Sequence, residues 1–298
     1  MRRSASLLRE PVSLLLVFTV MLSGLVTVLA REGLQASYQA DLGRALGEAR
    51  PRLHMMAGAI SDYESGGIGE DLLRSNLGFS ERGTAEALEP LSSMPELRGT
   101  FLDEPDAAAH RASLALRAEL DALDAVLQQH AGLAQVAYRT QRVLGLVGPS
   151  GSGLTIDPGV LANARRLWLQ TYARELRRLD GDLQVQVDEL ARWRAQTLPD
   201  LAAGGRWGEI SARLAQSRGE LQRAQDRLRA LPAPPEALRP LTSYTNALGH
   251  LDRALFSMGA YVDGRAPASL LSADQELAAY RTGRPEAASA IARLGDSR

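Results

Sequence analysis

The sequence predicts an all-α protein: an N-terminal transmembrane helix followed by an extracytoplasmic bundle of long antiparallel helices. Three observations lead there. Val12 to Leu29 is an uncharged run of 18 residues. Leucines then recur at steps of three and four over most of the chain, the spacing of one helix face. No alternating apolar–polar stretch of any length occurs, and Val and Ile are few, which argues against strands.

The first element is the apolar run. Arg2, Arg3 and Arg9 precede it, and Arg31 and Glu32 end it. Eighteen helical residues span about 27 Å, close to the hydrocarbon thickness of a bilayer. Three arginines lie before the run and only Arg31 lies in the ten residues after it, so the positive-inside rule places residues 1–11 in the cytoplasm as a short head. Residues 12–30 form the signal-anchor helix, and 31–298 lie outside. The competing reading is a cleaved signal peptide ending near Val28-Leu29-Ala30; the run is longer than the usual apolar core of such a peptide.

The second element is a helix over 34–62, with Leu42, Leu46, Leu53, Met56 and Ile60 on one face and Pro51 as its kink or break. Residues 64–105 hold six glycines and three prolines, among them Gly78, Gly83 and Pro90, and predict an irregular segment of short helices and turns. Residues 106–146 predict one long helix, its stripe running Leu116, Leu120, Leu123, Leu127, Ala134 and Ala137. His130 falls on that stripe, which points it to the core.

The most regular helix starts at Asp157-Pro158, an N-cap acceptor followed by a residue whose missing N–H costs nothing there. Leu169, Tyr172, Leu176, Leu179, Leu183, Val187, Leu190 and Trp193 form its seam, with a period near 3.5. Pro199 and Gly204-Gly205 end it. The next helix, 206–231, shows Trp207, Ile210, Leu214, Leu221 and Leu228, and the rigid turn Leu231–Pro235 follows it. Leu241, Leu248, Leu251, Leu255, Met258 and Val262 mark a further helix ended by Asp263-Gly264. Two short helices, 269–281 and 286–294, close the chain on either side of Gly283 and Pro285. Several such helices in one chain favour an intramolecular bundle over a coiled-coil dimer.

Composition narrows the chemistry. The hydrophobic content of 45% supports a packed core, and the net charge of −1 gives no bias toward nucleic acid. No cysteine is present, so disulfides, thiolate metal sites and cysteine nucleophiles are excluded. All 34 basic residues are arginine, which excludes Schiff bases and a phosphate-binding lysine.

That last point decides the reading of Gly148–Thr155, GPSGSGLT. It resembles a phosphate-binding loop, but Leu154 stands where the lysine must be and a helix, not a strand, leads in. The expectation is a glycine-rich turn over about 145–157, with no nucleotide bound. Other candidate chemistry is sparse. His54, His110, His130 and His250 show no mutual helical spacing. Asp62, Glu64, Asp103, Glu104 and Asp106 match no calcium loop, and Ser150 and Ser152 lie in no nucleophile motif. No catalytic, cofactor-binding or metal residue is predicted. Residues 61–130 carry 14 acids against 5 arginines, whereas 158–231 carry 13 arginines against 9 acids. Such runs mostly solvate a face.

The predicted layout is that of a bacterial-type single-pass envelope protein: non-catalytic, anchored in the membrane through residues 12–30, and acting by binding an envelope protein or ligand. It looks like the sensing half of membrane receptors, which also place a helical bundle outside a first membrane helix. Those receptors add a second membrane helix and an output domain that this sequence does not spell out, so the likeness is one of layout and carries no family. The alternatives are an exported helical enzyme with an unrecognised site and a cleaved, secreted binding module.

Overall fold

The computed structural model describes residues 9–92, 104–147 and 158–296. Every described element is helical: α1 (Arg9–Glu64), α2 (Glu70–Ser92), α3 (Glu104–Gln128), α4 (Leu133–Leu146), α5 (Pro158–Ala203), α6 (Trp207–Ala230), a 3₁₀ turn (Pro235–Ala237), α7 (Leu238–Gly264) and α8 (Pro267–Asp296). The all-α prediction therefore holds.

The helices divide between two compact units. The first holds α1, α2, α3 and, among the described residues, 142–147 and 158–161. Its core is built from Tyr38, Leu42, Leu53, Met56 and Ile60 of α1, Leu73, Leu77 and Leu88 of α2, and Leu116, Leu120 and Leu123 of α3. Arg52 reaches Gly83 while Met55 and Ala59 share a groove with Asn76 and Phe79, so α1 and α2 run antiparallel. Arg117 donates to the Ala85 carbonyl while Gly78 lies against Leu127, so α2 and α3 do as well.

The second unit is an up-down-up-down bundle of α5, α6, α7 and α8. Its alternation reads from ion pairs and hydrogen bonds: Arg213 with Glu189 joins α6 to α5, Arg218 with the Leu255 carbonyl joins α6 to α7, and Arg194 with Asp274 joins α5 to α8. Residues 130–141 of α4 and its approach belong here too, with Ala134, Val136 and Ala137 buried. The α5 seam is buried from Tyr172 through Leu176, Leu179, Leu183, Val187 and Leu190, and Leu169 is half-buried. A gap of only about 20 Å³ remains between Leu183, Val187, Leu190, Leu221, Leu251 and Leu255.

Several boundaries differ from the sequence reading. The helix expected to end at Arg31 continues without interruption to Glu64. Arg31 and Glu32 change the solvent preference of the surface but not the ability to form helix. Pro51 lies inside α1 on its exposed side and ends nothing. Among the described residues no helix is long and apolar enough to cross a membrane, so the expected transmembrane helix at 12–30 gains no support there. The side chains of residues 9–18 and 20 fall outside the described set.

The segment 64–105, expected to be irregular, contains the whole of α2. Its glycines are contact positions: a Cβ at Gly83 would meet the Arg52 side chain at 2.9 Å, and one at Gly78 would touch Leu127 at 3.7 Å. Tertiary packing there outweighs the weak helix propensity of glycine. Conversely, the single helix expected over 106–146 breaks after Gln128. His130 adopts a left-handed φ of 49° and is exposed rather than core-facing. Pro199 and Pro285 also fail to end their helices: α5 runs on to Ala203, and α8 is one helix where two were expected. The expected glycine-rich turn 145–157 begins inside α4, and 148–157 lie outside the described residues.

Candidate functional site

Chemistry needs polar groups held away from water, and three places in the described residues offer them.

The first is a knot in the second unit. Asp180 sits on α5 between Leu176 and Leu183 and is 9% exposed. The Tyr244 hydroxyl of α7 donates to its Oδ1 at 3.0 Å. Arg284 of α8 closes a fork on it, Nε to Oδ1 at 2.7 Å and Nη2 to Oδ2 at 2.6 Å. Both carboxylate oxygens are thus engaged by charge-assisted donors. The bond to Asp180 raises Arg284 above the ordinary guanidinium range. Burial, then the Asp180 charge, drives Tyr244 far above the usual phenol range, and burial pushes Tyr280 beside it up to about 12. A carboxylate saturated by three donors is neither a free base nor a free nucleophile; the knot ties three helices in register.

The second is Glu81 of α2 in the first unit. It is 3% exposed, and its Oε2 is buried without a hydrogen-bond partner. Burial first, then the charges of Asp124 and Asp121 on α3, push its carboxyl up to about 7, against the opposing pull of Arg117 and Arg82. Burial thus favours the protonated form of Glu81 well above the ordinary carboxylate range.

The third is a groove of about 530 Å³ at one end of the second unit, formed where α5 ends, α6 begins and α7 passes into α8. Leu198, Ala202 and Leu270 line it with two aromatic rings, Trp207 and Tyr261, whose centroids are 5.8 Å apart and nearly perpendicular. The guanidinium of Arg265 lies 3.2 Å from the Trp207 centroid.

The residues singled out by sequence scatter. His54 is exposed. His110 stands edge-on to Tyr38 at 5.6 Å, and burial lowers its pKa. His250 Nδ1 lies 2.6 Å from Glu276 Oε2 and 2.8 Å from Arg253 Nη2; the contact with His250 is the main reason Glu276 sits below its ordinary value. Asp62 takes part in the turn after α1, where its carbonyl accepts from the Gly67 N–H at 2.8 Å. Asp103, Ser150, Ser152 and the whole of Gly148–Thr155 fall outside the described residues, as do the side chains of Glu104 and Asp106. No group of three or more metal-ligating side chains occurs among the described residues.

Sequence reading missed all three places, though Asp180 and Glu81 left a signal. Ala173, Asp180 and Val187 are spaced by seven, and Leu77, Glu81, Thr84 and Leu88 step by four, three and four. A charged residue at a seam position is the mark of a buried polar contact.

No known protein family matches the chain, and no match is found among curated proteins or solved structures.

Proposed function

We propose that this chain is a membrane-anchored, extracytoplasmic helical-bundle protein that acts by binding. One observation carries the anchoring: Met21 to Leu29 are exposed all round α1, with Met21 at 71% and Leu25, Val26 and Leu29 at 58%. A helix of Met, Leu and Val that covers no protein surface has no place in water. Six such residues within nine positions make an apolar patch far larger than single exposed leucines do, and such patches belong to interfaces or membranes. The arginine asymmetry around 12–30 then sets the orientation, with residues 1–11 cytoplasmic and the packed helices outside.

The binding half of the reading rests on what the buried polar groups do. Asp180 is occupied by its donors, and the core gap among Leu183, Leu221 and Leu251 has room for about one water. What remains open to solvent is grooves, which suit capture of a ligand or envelope partner rather than turnover.

The test is topology and extraction. An alkaline phosphatase fused after Arg298 is expected to be active, and carbonate washing is expected to leave the protein in the membrane pellet. An inactive fusion would reverse the orientation. Release into the wash would show cleavage near Ala30 and a secreted protein.

A further inference from the structure

We propose that the groove of Leu198, Ala202, Trp207, Tyr261, Arg265 and Leu270 binds a small organic carboxylate with an apolar body, the carboxylate on Arg265 and the body against the two rings. This extends the binding half of the reading above and is independent of the membrane half, so either can fail without the other.

The argument starts from the backbone of Arg265. It closes α7 in the left-handed region, φ 57° and ψ 17°, with its N–H bonded to the Tyr261 carbonyl at 2.8 Å. Glycine is the residue for that seat, because a Cβ crowds the backbone there. The chain has a glycine at the next position back, Gly264, which is helical. It places an arginine in the strained seat instead. Among the described residues only His130 is another non-glycine with positive φ. Strain of this kind persists where the surrounding structure over-determines it, and it clusters at ligand sites.

The Arg265 side chain lines the groove. The guanidinium carbon lies over the Trp207 ring at 3.2 Å, a cation–π contact that holds the head group at the groove. No described carboxylate pairs with it. Glu209, two residues on from Trp207, is already held by Arg206 through two bonds of 2.6 and 2.5 Å. Elsewhere in the unit Arg194, Arg213, Arg281 and Arg284 each have an acidic partner. Arg265 is therefore left open to an anion from outside the chain.

Its class follows from the surroundings. The walls are apolar and aromatic, with one cation. A phosphate dianion would be half-neutralised against leucine and tryptophan, whereas one carboxylate balances one guanidinium in a planar fork. The volume of about 530 Å³ falls in the range of small-molecule sites.

The experiment is calorimetry on the full chain in mild detergent, which serves whether or not residues 12–30 enter a bilayer, with phenylacetate as probe, and 2-phenylethanol and phenethylamine as controls of the same body. Phenylacetate is expected to bind with a sub-millimolar Kd, the alcohol at least tenfold more weakly, and the amine not at all. Arg265→Gly is expected to weaken phenylacetate at least tenfold while the melting temperature holds or rises, since glycine relieves the seat. Arg265→Gln, which keeps the strain and removes the charge, is expected to lose binding equally. The absence of heat with the unaltered chain would overturn the proposal. So would undiminished binding by Arg265→Gly, equal binding of the amine, or a dimer that Trp207→Ala dissociates, the last because a second copy would then cover the groove.

Discussion

Glu81→Gln isolates one buried carboxyl. In the folded chain its pKa is pushed up to about 7 by burial and by Asp124 and Asp121, against 4.5 ordinarily. The folded state therefore holds the proton more tightly than the unfolded state. The stability this gives is fully present below about pH 4.5, falls as pH rises, and is gone above about pH 7. One pKa unit corresponds to about 1.4 kcal/mol, so the displacement from 4.5 to about 7 sets a ceiling near 3.5 kcal/mol, and screening by solvent brings the expected range to about 1–3 kcal/mol. Glutamine keeps the size and never ionises. Urea unfolding of the full chain, followed by helicity at pH 4.5 and pH 8, checks this. The variant should match or fall slightly below the parent at pH 4.5 and exceed it by about 1–3 kcal/mol at pH 8. An NMR titration of the Glu81 carboxyl should have its midpoint near 7. A midpoint near 4.5, or the same difference between variant and parent at both pH values, would refute the burial argument.

Two further perturbations test the second unit. Leu183→Ala should cost about 2–5 kcal/mol, because Leu183 is 2% exposed in a tight core, while exposed Arg178→Ala should stay within about 0.5 kcal/mol; differential scanning calorimetry separates the two, and a more damaging arginine change would put the seam on the wrong side. Arg284→Met should cost about 3–5 kcal/mol by stranding Asp180, and Asp180→Leu added to it should recover most of that loss, as a double-mutant cycle in urea would report; simple additivity would deny the coupling.

The packed seams were legible because burial of leucine is a local, periodic property. Leu176, Leu179, Leu183, Val187 and Leu190 are buried as their spacing implies. What could not be read locally depends on distant partners. Asp180 is bonded to Arg284, 104 residues away, and nothing near either residue names the other. The glycines at 78 and 83 signalled turns because glycine favours them in isolation; only the approach of Leu127 and Arg52 explains their place in a helix. With α2 taken as irregular, Glu81 was counted among solvated acids, although Leu77, Thr84 and Leu88 flank it at core spacing. The helix does end at Gly264, as Asp263-Gly264 implies, but nothing local indicates that Arg265 takes the left-handed seat after it.

The continuity of α1 has a mechanical consequence. From Leu25 in the exposed apolar stretch to Ile60 in the packed core the backbone is a single helix of about 53 Å, with no linker between them. A flexible joint would let either end move while the other stood still. A helix is stiff in torsion and along its axis, so a turn of Ile60 against α2 swings Leu25 through nearly the same angle, and an axial slip arrives undiminished. Pro51, on the outer side, is the one place where that rod has a missing rung. The two ends of α1 are thus parts of one lever, and neither changes its setting unnoticed by the other.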